Sequence, residues 1–207
     1  MRNSIPVMLI CMTVSLASGS IYLESPVYCG SKWGMLQYDD GSSHWLTWKG
    51  VYRGVWFVTD DFLPGSWFNA DYSEYWFYHH SEYPWDTSDF YAELWTDDSC
   101  SPGMLIDRDI VVASHNTAIL SDHDPDYWFE QCWSIVNTEL SEGGWPSLLG
   151  DNTPNTADHS FYSDDFEVWL PWIKTGSIAS DYFIMFWAGF GSLEAETWGG
   201  IKGLYRL

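Results

Sequence analysis

Nine short aromatic or β-branched runs, each closed by turn residues, set the main limit on how this 207-residue chain can fold. They cover residues 33–38, 44–48, 54–59, 74–79, 89–96, 104–113, 127–136, 166–172 and 182–190. Gly, Pro, Asp, Asn or Ser bounds each run, and helical periodicity is almost absent between them. Strands at this spacing, with no amphipathic helices to cover a parallel sheet, predict an all-β fold. The expected architecture is an antiparallel β-sandwich of jelly-roll-like form, with a closed barrel second. Longer connections fall at 97–103, 121–126 and 141–165. The last contains "GDNTPNTADHS" and is too long for a plain connection, which marks it as functional or mobile.

Residues 1–19 read as an export signal. Arg2 opens it, a mostly apolar stretch spans 5–16, and the small residues Ala17 and Gly19 follow. That stretch is too short to cross a bilayer, and no later run is continuous enough to do so. The chain is therefore expected to be secreted, whether extracellular, periplasmic or at the cell surface, with no membrane span. The remainder divides into a sandwich domain at 20–192 and a short tail at 193–207. The tail reads as a final strand, with a docking segment as the alternative.

The formal net charge of −21 excludes nucleic acid as a partner, because phosphates need a basic surface. It equally opposes docking on anionic lipid. After residue 19 three cysteines remain: Cys29, Cys100 and Cys132. In an oxidising compartment one disulfide and one free thiol are expected, with all three pairings open.

Aspartate pairs recur at Asp39–Asp40, Asp60–Asp61, Asp97–Asp98 and Asp164–Asp165, three of them directly after a predicted strand. Turn aspartates accept nearby backbone N–H groups, and charge at a sheet edge blocks pairing with other chains. A cation is the functional alternative. In "SDHDPDYW", Asp122, Asp124 and Asp126 alternate like the start of a calcium loop, but Tyr127 and Trp133 replace the glycine and the bidentate acid of an EF-hand. Asp39 and Asp40 next to Gly41 form a second candidate calcium site. The six histidines have no zinc-site spacing.

The chain holds fifteen tryptophans, thirteen tyrosines and eleven phenylalanines, all after residue 20. One sandwich core absorbs many rings but not all of these. In "EYWFYHHSEYPW", Trp76 and Tyr78 share one strand face, opposite Tyr75 and Phe77, and Tyr83 and Trp85 follow in a turn. Trp76, Tyr78, Tyr83 and Trp85 are thus the candidate stacking platform for sugar rings or a protein's apolar patch. Enzyme signatures such as G-x-S-x-G, H-E-x-x-H or a phosphate-binding glycine loop are absent from the sequence.

The succession "LQYDDGSSHW", "GVWFVT", "FYAELWTDDSCSPGML", "GGWPSLLGDN" and "DYFIMFWAG" resembles secreted β-sandwich modules of environmental bacteria, in which a D-D-G stretch opens the domain. The resemblance implies a jelly-roll-like extracellular module of the kind found beside surface-sorting or adhesion segments, and it implies no activity. Here "TWGGIKGLYRL" stands where a long sorting domain would be. The expected function is non-catalytic binding of an extracellular glycan or a surface protein. A structural component of an envelope or matrix is the second reading, and a glycan hydrolase using paired carboxylates the third.

Overall fold

The computed structural model describes residues 20–23, 32–39, 41, 45–47, 50–77, 88–113, 118–123, 127–141, 145–151, 159–174, 178–179, 181–182 and 184–192. The predicted export signal at 1–19 and the tail at 193–207 lie outside them. Among the described residues the backbone forms fifteen strands and a single 3-10 turn, Thr59–Asp61. The strands are β1 (Ser20–Leu23), β2 (Lys32–Gln37), β3 (Trp45–Thr47), β4 (Tyr52–Val58) and β5 (Ser66–Trp76). Next come β6 (Asp89–Asp97), β7 (Pro102–Val112), β8 (Ala118–Asp122), β9 (Gln131–Asn137) and β10 (Leu148–Gly150). The chain closes with β11 (Ser160–Ser163), β12 (Leu170–Pro171), β13 (Ile173–Lys174), β14 (Ile178–Ala179) and β15 (Ile184–Ser192). No described helix is long and apolar enough to cross a membrane.

A five-stranded sheet, β1-β2-β15-β5-β8, packs on a six-stranded sheet, β12-β11-β4-β9-β6-β7. The pairings are antiparallel, and two small pairs, β3–β10 and β13–β14, flank them. Rings meet across the interface: Phe57 of β4 lies 4.5 Å from Phe186 of β15, and Phe90 of β6 lies 5.6 Å from Tyr75 of β5. Leu36, Phe68, Ala70, Leu94, Val136 and Ile184 complete the same core. Burial of this apolar area at roughly 25 cal/mol per Å² is the main term holding the sheets together. The chain is an all-β antiparallel sandwich, as its turn-bounded runs predict.

Strand β5 shows how register is kept. Phe68 and Ala70 point into the core, and so do Ser73 and Tyr75, although a strict period of two cannot place both pairs there. A bulge resolves the conflict: Ala70 and Tyr72 face the consecutive residues Ala188 and Trp187 of β15, leaving Asp71 extra. On its other edge β5 keeps its register with β8, where the Asp71 carbonyl accepts the His123 N–H at 2.7 Å.

The outer face of the six-stranded sheet carries a second apolar layer. Trp56, Trp133 and Trp95 stand in register across β4, β9 and β6. Phe166 and Trp169 lie over them, with Trp169 at 5.2 Å from Trp133 and Phe166 at 4.6 Å from Trp95. Gly54 leaves room for this cover, since a Cβ there would meet Ile135 at 3.1 Å and the Trp169 ring at 3.3 Å. The sequence predicts a strand over 166–172, but only β12 forms, and Phe166–Trp169 is a turn. Asp165 is the cause: its Oδ1 accepts the N–H groups of Glu167 (2.9 Å) and Val168 (3.1 Å). Phe166 consequently adopts φ of 67°.

Other boundaries move as well. The predicted loop at 141–165 contains β10 and β11. Ser121 and Asp122, expected in a loop, end β8. The strand expected over 127–136 starts at Gln131. In the first two cases pairing of β10 with β3, β11 with β4 and β8 with β5 sets the boundary, and local pattern does not encode such long-range contacts. Cys100 is an exposed free thiol and Cys132 a buried one, so these two do not pair; Cys29 lies outside the described residues.

Candidate functional site

Several strand ends gather at one end of the sandwich: β4 passes into the 3-10 turn, β5 begins, β6 ends and β9 begins. Residues 127–130 cross this end and are pinned by the main chain. Phe68 and Phe129 exchange both backbone bonds, at 2.9 and 2.8 Å, and the Glu130 carbonyl accepts the Thr59 N–H (2.9 Å) and hydroxyl (2.7 Å). Asn69 Nδ2 donates to the Tyr127 carbonyl at 3.1 Å. Phe129 drops into the core beside Phe68, and the Tyr127 ring rests on it at 4.8 Å. With the backbone fixed this way, Tyr127 and Trp128 turn outwards and stay 43% and 38% exposed.

A cleft of about 310 Å³ opens between this segment and the strand ends, walled by Trp67, Tyr127, Trp128, Thr96 and Asp97. A second hollow of about 180 Å³, bounded by Val58, Asp60, Gly65 and Ser66, shares Trp67, Glu130 and Gln131 with the first. The acids are held in place. Asp97 accepts Trp133 Nε1 on one oxygen (2.8 Å) and the Cys100 N–H on the other (3.3 Å), and Asp60 Oδ1 accepts the Gly65 N–H at 2.9 Å. Indole rings beside oriented carboxylates and an amide are the chemistry that can stack a ligand ring and hydrogen-bond its substituents.

The sequence-predicted platform is only partly described. Trp76 is half-buried on the outer face of the five-stranded sheet, and its Nε1 donates to Glu74 at 2.8 Å. The same carboxylate takes Trp187 Nε1 at 3.0 Å, so Glu74 ties two indoles together. Tyr78, Tyr83 and Trp85 lie outside the described residues.

Of the predicted calcium ligands, Asp40, Asp124 and Asp126 also lie outside them. Asp122 is exposed at the end of β8, and Asp39 is 2% exposed beyond the end of β2. Strands β15 and β5 stand between β2 and β8, about 14 Å at the usual strand spacing, so Asp39 and Asp122 do not share one ion. Asp39 Oδ1 accepts the Gly41 N–H at 3.0 Å, while Oδ2 is buried without a partner. Burial, and then repulsion from Asp151 and Asp181, raises the Asp39 carboxyl to about 7. Among the described residues no three His, Cys, Asp or Glu side chains are grouped to hold a metal.

Two further constellations resemble catalytic ones, and geometry decides against both. Ser73 Oγ lies 2.6 Å from His123 Nε2, and His123 Nδ1 lies 2.7 Å from Asp107 Oδ2, in triad order. The exposures are reversed, however. Ser73 is fully buried and also accepts Ser134 Oγ at 3.2 Å, whereas the Asp107 carboxylate is one-third exposed. A nucleophile must meet its substrate, and this one is sealed between the sheets. With Nε2 accepting and Nδ1 donating at His123, every donor is used in one direction: Tyr75 to Ser134 (3.0 Å), Ser134 to Ser73, Ser73 to His123, His123 to Asp107. The chain of bonds joins the edge strands β8 and β7 and closes that side of the sandwich.

The second constellation pairs Glu93 and Glu139 through Asn137 Nδ2, at 2.8 and 3.2 Å. Glu93 is fully buried and bound to Arg108 (2.8 Å) and Trp95 Nε1 (2.7 Å). Hydrogen bonds from Tyr52 and Asn137 hold Glu139 below the ordinary carboxylate value. An acid kept ionised does not protonate a glycosidic oxygen at neutral pH.

Sequence reasoning missed Trp67, Tyr127 and Trp128. Reading 127–136 as one strand assigned Tyr127 and Trp128 to alternate faces of a sheet, whereas they precede β9. The available signal was "DPDYW", where a proline and two acids mark a turn leading into two large rings. Scanned against protein-family models, curated proteins and solved structures, the chain matches none of them.

Proposed function

We propose that the chain is a glycan-binding β-sandwich whose ligand lies in the cleft formed by Trp67, Tyr127 and Trp128. The observation that carries this reading is the exposure of Tyr127 and Trp128 on a backbone fixed by Phe129 and Glu130. A large apolar ring left exposed costs free energy unless something covers it. Next to these rings Asp97, Glu130 and Gln131 offer hydrogen bonds to hydroxyl groups. A rigid aromatic surface loses little entropy on binding, which favours a flat saccharide ring. The export signal read at residues 1–19 fits this role, since glycans lie outside the cell. Enclosure of Ser73 and the full engagement of Glu93 support binding over hydrolysis.

The test is titration calorimetry of soluble oligosaccharides with the wild type and with Trp67→Ala and Trp128→Ala. Loss of one stacked ring should weaken binding by about two- to twelvefold, at roughly 0.5–1.5 kcal/mol per aromatic contact. Equal affinities in wild type and both variants would remove the cleft as the site.

A further inference from the structure

We infer that the cleft selects glycans bearing free amino groups, of the glucosamine type, over neutral and acidic ones. This rests on the glycan-binding reading and specifies its ligand. Three carboxylates line the two adjoining hollows, from Asp60, Asp97 and Glu130, and none of the described lining residues is Lys, Arg or His. The whole chain adds a net charge of −21. A uronic or sulfated glycan entering this field meets like charge from Asp60, Asp97 and Glu130, which disfavours it. A neutral hexose stacks on Trp67 or Trp128 but draws the carboxylates out of water with hydroxyl groups alone as compensation.

A protonated amine gains from both parts of the wall. The ammonium donates to carboxylate oxygens in charge-assisted hydrogen bonds. It also sits favourably near the negative face of an indole, where tryptophan is the strongest aromatic partner. The acids are ready for that contact. Asp97 is oriented by Trp133 Nε1, Asp60 by the Gly65 N–H, and Glu130 is exposed beside Trp67. A bare divalent cation is the poorer fit, since no described group of three acids converges on one point.

The experiment compares three oligomers of equal length at low salt and mildly acidic pH: fully deacetylated chitin oligosaccharide, the same oligosaccharide N-acetylated, and a cello-oligosaccharide. The deacetylated oligomer should bind about tenfold or more tighter than the other two. Raising the salt to about 0.5 M should narrow that gap, as should Glu130→Gln and Asp60→Asn, which retain an acceptor oxygen. Trp128→Ala should weaken all three oligomers, and the deacetylated one most, because it also loses the contact between its ammonium and the indole face. Equal or tighter binding of the acetylated or cello-oligomer overturns the amine preference and leaves glycan binding intact. If no oligomer binds, both fall. Spermine serves as a control for attraction to charge alone: binding equal to that of the deacetylated oligomer, and unchanged in Trp128→Ala, also overturns the inference.

Discussion

Trp133 and Trp128 stand five residues apart and are treated in opposite ways by the same sandwich. Trp133 lies in β9 on the outer face of the six-stranded sheet and is fully buried under Phe161 and Trp169, at 5.2 Å from each. Trp128 sits just ahead of that strand, on a main chain anchored through Tyr127, Phe129 and Glu130, and is 38% exposed. Neither burial nor exposure follows from residue type. An outer sheet face is wet by default, and what dries this one is a turn folded back by Asp165. The cleft end has no such cover among the described residues. The aromatic surplus therefore serves two purposes: one group of rings extends the core beyond the sheet, and the other forms a surface.

The largest expected effect comes from removing the centre of the covered layer. Trp133→Ala deletes a fully buried ring in contact with Trp56, Phe161 and Trp169 and strips Asp97 of its indole donor. A loss of about 3–5 kcal/mol in urea unfolding is expected. Trp128→Ala, whose ring is already partly wet, should stay within about 1 kcal/mol. Similar losses in both variants would erase the distinction between cover and surface.

Acidity acts on the covered side by another route. The first ring of the ladder, Trp56, lies 6.0 Å from His159, which stacks on Tyr38 at 3.8 Å, and Asp39 follows Tyr38 in the chain. The Asp39 carboxyl, near 7 in the fold against about 3.9 in an unfolded chain, keeps its proton after the unfolded chain has lost it. Stability from this group is therefore greatest below about pH 4, falls as pH rises towards 7, and levels off above. Three units correspond to at most about 4 kcal/mol. Asp39→Asn should remove this fall, so the variant gains on the wild type between pH 5 and 8. Parallel stability profiles across that range would refute the assignment.

How legible each region was in the sequence follows from the range of its contacts. Strands such as β2, β6 and β15 show as short aromatic or β-branched runs because turn residues bound each of them in the sequence. The two-sheet arrangement followed from their number and from the lack of helices. The cover over Trp133 was not legible, because "DDFEVWLPW" alternates like a strand and only the hydrogen bonds of Asp165 turn it aside. The relay from Tyr75 to Asp107 draws on four separate places in the chain, one of them set by the bulge at Asp71. Trp67 and Trp128 are brought together by the backbone exchange between Phe68 and Phe129, a long-range contact with no local signature. What the sequence did carry was the turn chemistry of the aspartate pairs: Asp39, Asp60, Asp97 and Asp165 each accept a backbone N–H.

The smallest perturbation tests the cover itself and leaves every ring in place. Asp165 is exposed, and bonds from the Val168 and Glu167 N–H groups hold its carboxyl below the ordinary value. Asp165→Ala removes those acceptors and the contact from Ser163 Oγ at 3.2 Å, releasing a turn that holds Phe166 at positive φ. Without the carboxylate, Phe166 should relax towards extended backbone and draw its ring off Trp95. A slightly lower unfolding midpoint is expected, together with a larger share of tryptophan fluorescence open to acrylamide. The wild type should drift the same way in acid: a depressed carboxyl pKa stabilises the fold above its unfolded value and ceases to as pH falls through the folded one. This sign is opposite to that for Asp39, so the two carboxyls can be separated in a single pH series. Unaltered quenching in Asp165→Ala would mean that the rings of Phe166 and Trp169 hold the cover by packing alone, and that the aspartate merely follows the turn.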